Sequence, residues 1–197
     1  ANVQTEDNGT YRVIVSNAGG SVTSNPATLT VRLPNTLGEF NNGLVAYYPF
    51  NGNANDESVN SNHGTVSGAT LATDRNGTAG RAYSFDGSNN YVRAADTPAI
   101  SGLSAVTISA WAKWDAVNGW QTIVGKYFDD QAHKGEFLLN AEAGNKIAVV
   151  YQDRGNGDFS RIVRDTTFNY TPGRWYHLVT SYDGTDGNGV KLYIDGA

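Results

Sequence analysis

The chain has 197 residues, a formal net charge of −5, charged residues at 17% and no cysteine. Negative charge without a basic run argues against nucleic acid or anionic lipid as a partner, and no apolar stretch approaches the ~18 residues that insert across a membrane. Lack of cysteine removes a disulfide framework and a thiol nucleophile, while 23 glycines and 11% aromatics describe a turn-rich β protein of the extracellular or cell-surface kind, in composition closest to a bacterial or archaeal surface protein.

In chain order, Thr10-Tyr11-Arg12-Val13-Ile14-Val15-Ser16 and residues 21–32 are rich in β-formers and flank the turn Asn17-Ala18-Gly19-Gly20, which predicts one hairpin. Asp7, Gly9 and Tyr11 fit an Asp-x-Gly-x-Tyr pattern, with Val13 two places on. On these residues the stretch resembles the last two strands of an immunoglobulin-like domain of the intermediate set. The resemblance implies that Tyr11 is a tyrosine-corner residue. Residues 1–33 are therefore expected to be the end of such a domain. Residues 34–42, with Pro34, Asn35 and Gly38, read as a linker, and 43–197 as a second module.

After Gly43-Leu44-Val45-Ala46-Tyr47-Tyr48-Pro49-Phe50, strands are predicted near 81–86, 90–95, 105–114, 120–127, 135–141, 145–152, 158–165, 174–183 and 189–194. Gly, Asn and Asp turns separate them at the short spacing of a sandwich. No amphipathic helix longer than a turn or two is expected. Asp195-Gly196 follows the last strand and reads as a hairpin turn without its return strand.

Several segments stand out in order: Asp56-Glu57-Ser58-Val59-Asn60-Ser61-Asn62-His63-Gly64, Tyr83-Ser84-Phe85-Asp86-Gly87, Thr107-Ile108-Ser109-Ala110-Trp111, Gly173-Arg174-Trp175-Tyr176-His177-Leu178 and Leu192-Tyr193-Ile194-Asp195-Gly196. Their succession resembles the laminin G-like, concanavalin A-like jelly rolls. The resemblance implies an all-β, antiparallel β-sandwich over 43–197, truncated at its C-terminal end, behind the N-terminal immunoglobulin-like hairpin.

The loop from Asn51 to Gly64 concentrates hard oxygen ligands and flexible glycines, the donor chemistry that calcium takes. The resemblance implies a structural calcium held by Asp56 and Asn62, with carbonyls near Asn60 and Gly64. An Asx-rich loop stitched by its own side-chain turns, with no metal, is the alternative. A second oxygen cluster, Asp86-Gly87-Ser88-Asn89-Asn90, reads as a hairpin turn.

Aromatic side chains suggest a surface for sugar rings. Trp111 and Trp175 lie inside strand patterns and are expected in the core, with Trp175, His177 and Val179 sharing a side. Trp114 and Trp120 flank the loop 115–119 and are expected to be exposed. They would bind a ligand together with Asn118 and Tyr127, with Tyr151, Gln121, Asp129 and Asp130 as further candidates. No nucleophile elbow, His-Glu-x-x-His pair or phosphate loop accompanies His63, His133 and His177, so no enzyme is expected. The sequence thus reads as a non-catalytic extracellular adhesion or carbohydrate-binding module for a glycan or protein ligand. The alternative is a structural spacer or self-assembling subunit whose open sheet edges take a strand from a neighbouring chain.

Overall fold

The computed structural model describes residues 7, 9–29, 42–126, 129–130, 133–134, 137–144, 146–152, 160–165, 168–184 and 189–197. The chain divides into two compact units, Ala1–Leu44 and Val45–Ala197.

In the first unit, β1 (Gly9–Tyr11) pairs with β4 (Ala27–Leu29), and β2 (Ile14–Asn17) pairs with β3 (Gly20–Thr23), both antiparallel. The expected hairpin is thus interrupted. Its break has a side-chain cause: Val13 N donates to Ser24 Oγ (3.0 Å) while Ser24 N donates to Val13 O (2.9 Å). A hydroxyl replaces one ladder carbonyl there, and the strands restart in a shifted register. Tyr11 OH donates to Asp7 O at 2.8 Å, the bond expected of a tyrosine corner. Val15 and its cross-strand partner Val22 are 68% and 75% exposed.

The second unit is a sandwich of two antiparallel sheets. One has the order β17-β16-β9, formed by β9 (Val106–Lys113), β16 (Trp175–Tyr182) and β17 (Val190–Ile194). The other has the order β10-β13-β14-β15, formed by β10 (Gln121–Lys126), β13 (Phe137–Glu142), β14 (Lys146–Gln152) and β15 (Ser160–Asp165). Ile108, Tyr176 and Leu178 from the first meet Leu139, Ala141, Ile147, Val149 and Tyr151 from the second, and this is the core. Alternation along each strand explains it, since side chains of one parity all face the other sheet.

Strand bounds over 81–194 match the sequence expectation within one or two residues, except that a short ladder, β11 (Asp129–Asp130) with β12 (His133–Lys134), also forms. Two strands escaped it: β5 (Gly64–Ser67) and β6 (Thr70–Ala72), which pair with β8 (Tyr91–Ala94) and β7 (Ala82–Ser84). Both are short and separated by Gly68 at φ 71°, which masks the alternation. The Asp195-Gly196 turn forms as expected. Both residues have positive φ (53° and 88°), as a type I′ hairpin turn requires, and Ile194 and Ala197 exchange backbone hydrogen bonds. No helix among the described residues is long and apolar enough to cross a membrane.

Leu178 is fully buried between the sheets. Leu178→Ala is expected to lower unfolding stability by about 2–5 kcal/mol in a denaturant titration; a loss below about 1 kcal/mol would mean that the sheets do not pack on this side chain.

Candidate functional site

The register of β9 against β16 builds a second surface opposite the core. Ile108, Tyr176, Leu178 and Thr180 point inward and are buried. The intervening residues pair on the outside as Lys113 with Trp175, Trp111 with His177, Ser109 with Val179 and Thr107 with Ser181. β17 extends this face with Lys191 beside Ser181 and Tyr193 beside Val179.

Trp111 is 46% exposed at the centre of the face. The His177 ring stacks on it, with centroids 4.9 Å apart and planes at 14°. Ser109 Oγ lies 2.8 Å from His177 Nε2 and holds that ring in place. The Arg75 guanidinium lies over the Trp111 ring at 4.4 Å, and Lys113 Nζ over the Trp175 ring at 5.4 Å. Arg174 Nη2 bonds Asp195 Oδ2 at 2.6 Å, and its guanidinium lies 4.6 Å from the Tyr176 ring centroid. Trp111, Arg174, Trp175, His177, Asp195 and Gly196 line an open cleft of about 430 Å³. Aromatic planes beside fixed charged donors suit a ring-shaped polar ligand. Asp195 spends its oxygens on His177 N (2.9 Å) and Arg174, not on the imidazole, so Ser109 and His177 do not form a carboxylate-oriented nucleophile relay.

Several expectations change here. Trp114 is not exposed: it is 9% accessible and packs near Tyr170 and Tyr176, with ring centroids 6.3 and 6.2 Å away. Trp111 and Trp175 are not core residues, because the inward parity of this segment belongs to Ile108, Ala110, Ala112 and Trp114. Tyr151 also lies in the core, stacked on Tyr182 at 5.0 Å. Trp120 is 60% exposed and Asn118 is exposed, on the loop after β9. Gln121 Nε2, at the start of β10, donates to Ala116 O of that loop. Tyr127 lies outside the described residues, and Asp129 and Asp130 contribute backbone pairing to β11. Sequence reasoning missed Arg75, which arrives from the loop between β6 and β7.

The loop expected to hold calcium folds around a buried carboxylate. Asp56 is 3% exposed. Its Oδ1 accepts from Tyr47 N (2.7 Å) and Ser58 N (2.8 Å), and its Oδ2 from Ser58 Oγ and Asn62 N (both 2.8 Å). Asn62 is committed too: Nδ2 donates to Val45 O, Oδ1 accepts from Thr97 Oγ1, and its carbonyl accepts from Tyr48 OH. Asn60 Nδ2 also donates to Val45 O, and Gly64 N to Ala54 O. A cation needs the same lone pairs that these donors fill. Among the described residues no group of three or more His, Cys, Asp or Glu could hold a metal ion. The chain's own N–H and O–H groups fill the Asp56 oxygens, so a calcium ion there would have to displace them. Asp86 behaves similarly, its Oδ1 accepting from the backbone N–H of Ser88, Asn89 and Asn90, which makes that cluster the expected turn.

Burial pushes the Asp56 pKa up, but hydrogen bonds from Tyr47, Ser58 and Asn62 outweigh it and leave the group below the ordinary carboxylate value. A depressed folded pKa stabilises the fold above the unfolded value of about 3.9, and that contribution is lost as pH falls through the folded value. Asp56→Asn replaces an acceptor with a donor facing N–H groups. It is expected to cost about 2 kcal/mol at neutral pH and to flatten the acid limb of the stability curve, whereas a calcium chelator leaves the wild-type melting temperature in place. A chelator-induced drop would restore the ion.

The model of the concanavalin A-like lectin/glucanase superfamily, in its laminin G form, matches residues 86–197, more than half of the chain. That span carries both sheets of the sandwich, the Trp111 face and the Asp195-Gly196 turn. No curated protein and no solved structure matches the chain. With the two-sheet architecture and the family match in agreement, the chain belongs to the concanavalin A-like lectin/glucanase superfamily as a laminin G-like domain.

Proposed function

We propose that the second unit is a non-catalytic, extracellular glycan-binding or adhesion module, and that its contact surface is the outer face of β9, β16 and β17. The observation that carries this reading is the half-exposed Trp111 stacked on His177 beside Trp175 in an open cleft. Laminin G-like domains are in general non-catalytic binding modules, typically extracellular, whose partners are glycans or extracellular proteins. Superfamily membership alone does not fix the activity, since related folds also carry enzymes; the local geometry favours binding. Exposed Trp120, with Asn118, is proposed as an auxiliary contact on the adjoining loop. Residues 1–33 are proposed as the end of an immunoglobulin-like domain, supported by the Tyr11–Asp7 bond.

Affinity electrophoresis through a panel of polysaccharides tests this reading. Trp111→Ala is expected to weaken retention about tenfold, the loss of a stacking contact near 1.4 kcal/mol, and Trp120→Ala to weaken it less. Equal retention of Trp111→Ala and wild type would remove the face from the account.

A second reading, self-association, is favoured by the exposed Val15–Val22 pair of the first unit. In that reading two copies pack these apolar faces together and hide them from water. Sedimentation velocity at micromolar concentration should then show a dimer that Val15→Ser with Val22→Ser dissociates. A monomer in the wild-type chain contradicts it.

A further inference from the structure

An asparagine followed by glycine can modify itself. The glycine's backbone nitrogen attacks the asparagine Cγ and forms a C–N bond; the carboxamide nitrogen leaves as ammonia, taking up by way of water the proton that the attacking N–H gives up. Water then opens the five-membered succinimide at either carbonyl, which leaves an aspartate or an isoaspartate whose main chain runs through Cβ. Glycine favours the step because it has no Cβ to obstruct ring closure. The chain has seven such steps, and four lie wholly within the described residues: Asn42-Gly43, Asn51-Gly52, Asn76-Gly77 and Asn118-Gly119.

These four share their local backbone. Gly43, Gly52, Gly77 and Gly119 have φ of 80°, 81°, 83° and 81°, and no atom lies within 4 Å of the place a Cβ would take. Steric access does not separate them, but hydrogen bonding does. Gly52 N donates to Phe50 O (2.8 Å) and Gly80 O (3.0 Å), while the Asn51 amide donates to Glu57 Oε1 (3.2 Å) and accepts from Arg81 Nη1. Gly77 N donates to Asp74 O (3.2 Å), and the Asn76 amide lies between Asp74 Oδ2 (3.5 Å) and Arg75 Nη1 (3.3 Å). Asn42 and Asn118 are both exposed, and among the described residues neither their carboxamides nor the N–H groups of Gly43 and Gly119 have a partner. The contacts of the Asn118 loop fall on its neighbours instead: Val117 N donates to Tyr170 OH (3.0 Å), and Ala116 O accepts from Gln121 Nε2 (3.2 Å).

We propose that Asn42 and Asn118 are self-modification sites, at which the folded chain converts to aspartate and isoaspartate through a succinimide, and that Asn51 and Asn76 are held as amides by their hydrogen bonds. Ring closure needs the glycine nitrogen to give up its proton and the carboxamide to swing onto it. A bonded pair must first break both contacts. Water is the only co-reactant. At Asn118 the product is a new carboxylate two residues before the exposed Trp120, on the loop proposed above as an auxiliary contact.

The test is incubation of the whole folded chain in mildly alkaline buffer, followed over time by peptide mapping, with the gain in mass from amide to acid and methyl acceptance by an isoaspartyl-directed methyltransferase as readouts. The same chain in concentrated urea is the reference, because there all four steps are Asn-Gly without structure and convert at similar rates. In the folded chain Asn42 and Asn118 are expected to keep close to their urea rates, and Asn51 and Asn76 to fall to about a tenth or less, since their bonds must break before the ring closes. Asp74→Ala, in an exposed turn, removes the carboxylate that holds Asn76 and is expected to move Asn76 toward the fast pair while Asn51 stays slow. Four similar rates in the folded chain overturn the inference, as does an Asn118 that stays intact when folded yet converts in urea. An Asn76 rate unchanged by Asp74→Ala overturns hydrogen bonding as the cause.

Discussion

The proposed contact face depends on the antiparallel register of β9 against β16. Eight residue pairs, from Trp175 with Lys113 to Tyr182 with Val106, fix which side chains face the second sheet and which face outward. A slip of one residue by β16 would drive Trp175 and His177 into the core and push Tyr176 and Leu178 into water, and a slip by β9 would exchange Trp111 with Ile108 in the same way. Core and contact face are thus two readings of one alternation, and the free energy of burying Leu178, Ile108 and Tyr176 is what holds Trp111 out.

The segment from Val45 to Asn62 is tied together, and to Thr97, by polar contacts. Asp56 ties Tyr47, Ser58 and Asn62 into one knot, and Asn62 carries it on to Val45 and Thr97. Such a buried carboxylate is costly to leave unpaired and fixes its loop when fully paired. Gly64 sits where the knot meets β8: a Cβ there would lie 2.5 Å from Val92 Cγ1 and 3.0 Å from Ala54 O. At the other end of the domain, Asp195 performs a related task, joining the type I′ turn to β16 through His177 and Arg174.

Much of this was legible in the sequence, and the exceptions have physical reasons. Strands 105–114 and 174–183 were readable because β-formers run unbroken between turn residues, and the Asp-Gly turn because few other residues accept two positive φ angles. The sides of Trp111 and Trp114 were misjudged because alanines disguise the inward face. Ala110 and Ala112 share parity with Ile108 and Trp114, so counting by two from Ile108 reaches the correct assignment. The oxygen-rich loop was recognised, but the donors that fill Asp56 are mostly backbone N–H groups, which leave no mark in residue spacing. Arg75 over Trp111 joins segments far apart in the chain, and no local pattern encodes that meeting.

The four tryptophans make the central claim directly measurable through their indole N–H signals in a nitrogen–proton correlation spectrum, assigned by single substitution and followed during titration with the polysaccharide that most retards the wild-type chain in affinity electrophoresis. If the outer face of β9 and β16 is the contact surface, the Trp111 and Trp175 signals move together with ligand while the core residue Trp114 stays in place. Movement of Trp120 alone, with Trp111 and Trp175 still, would contradict the account and shift the site to the loop after β9.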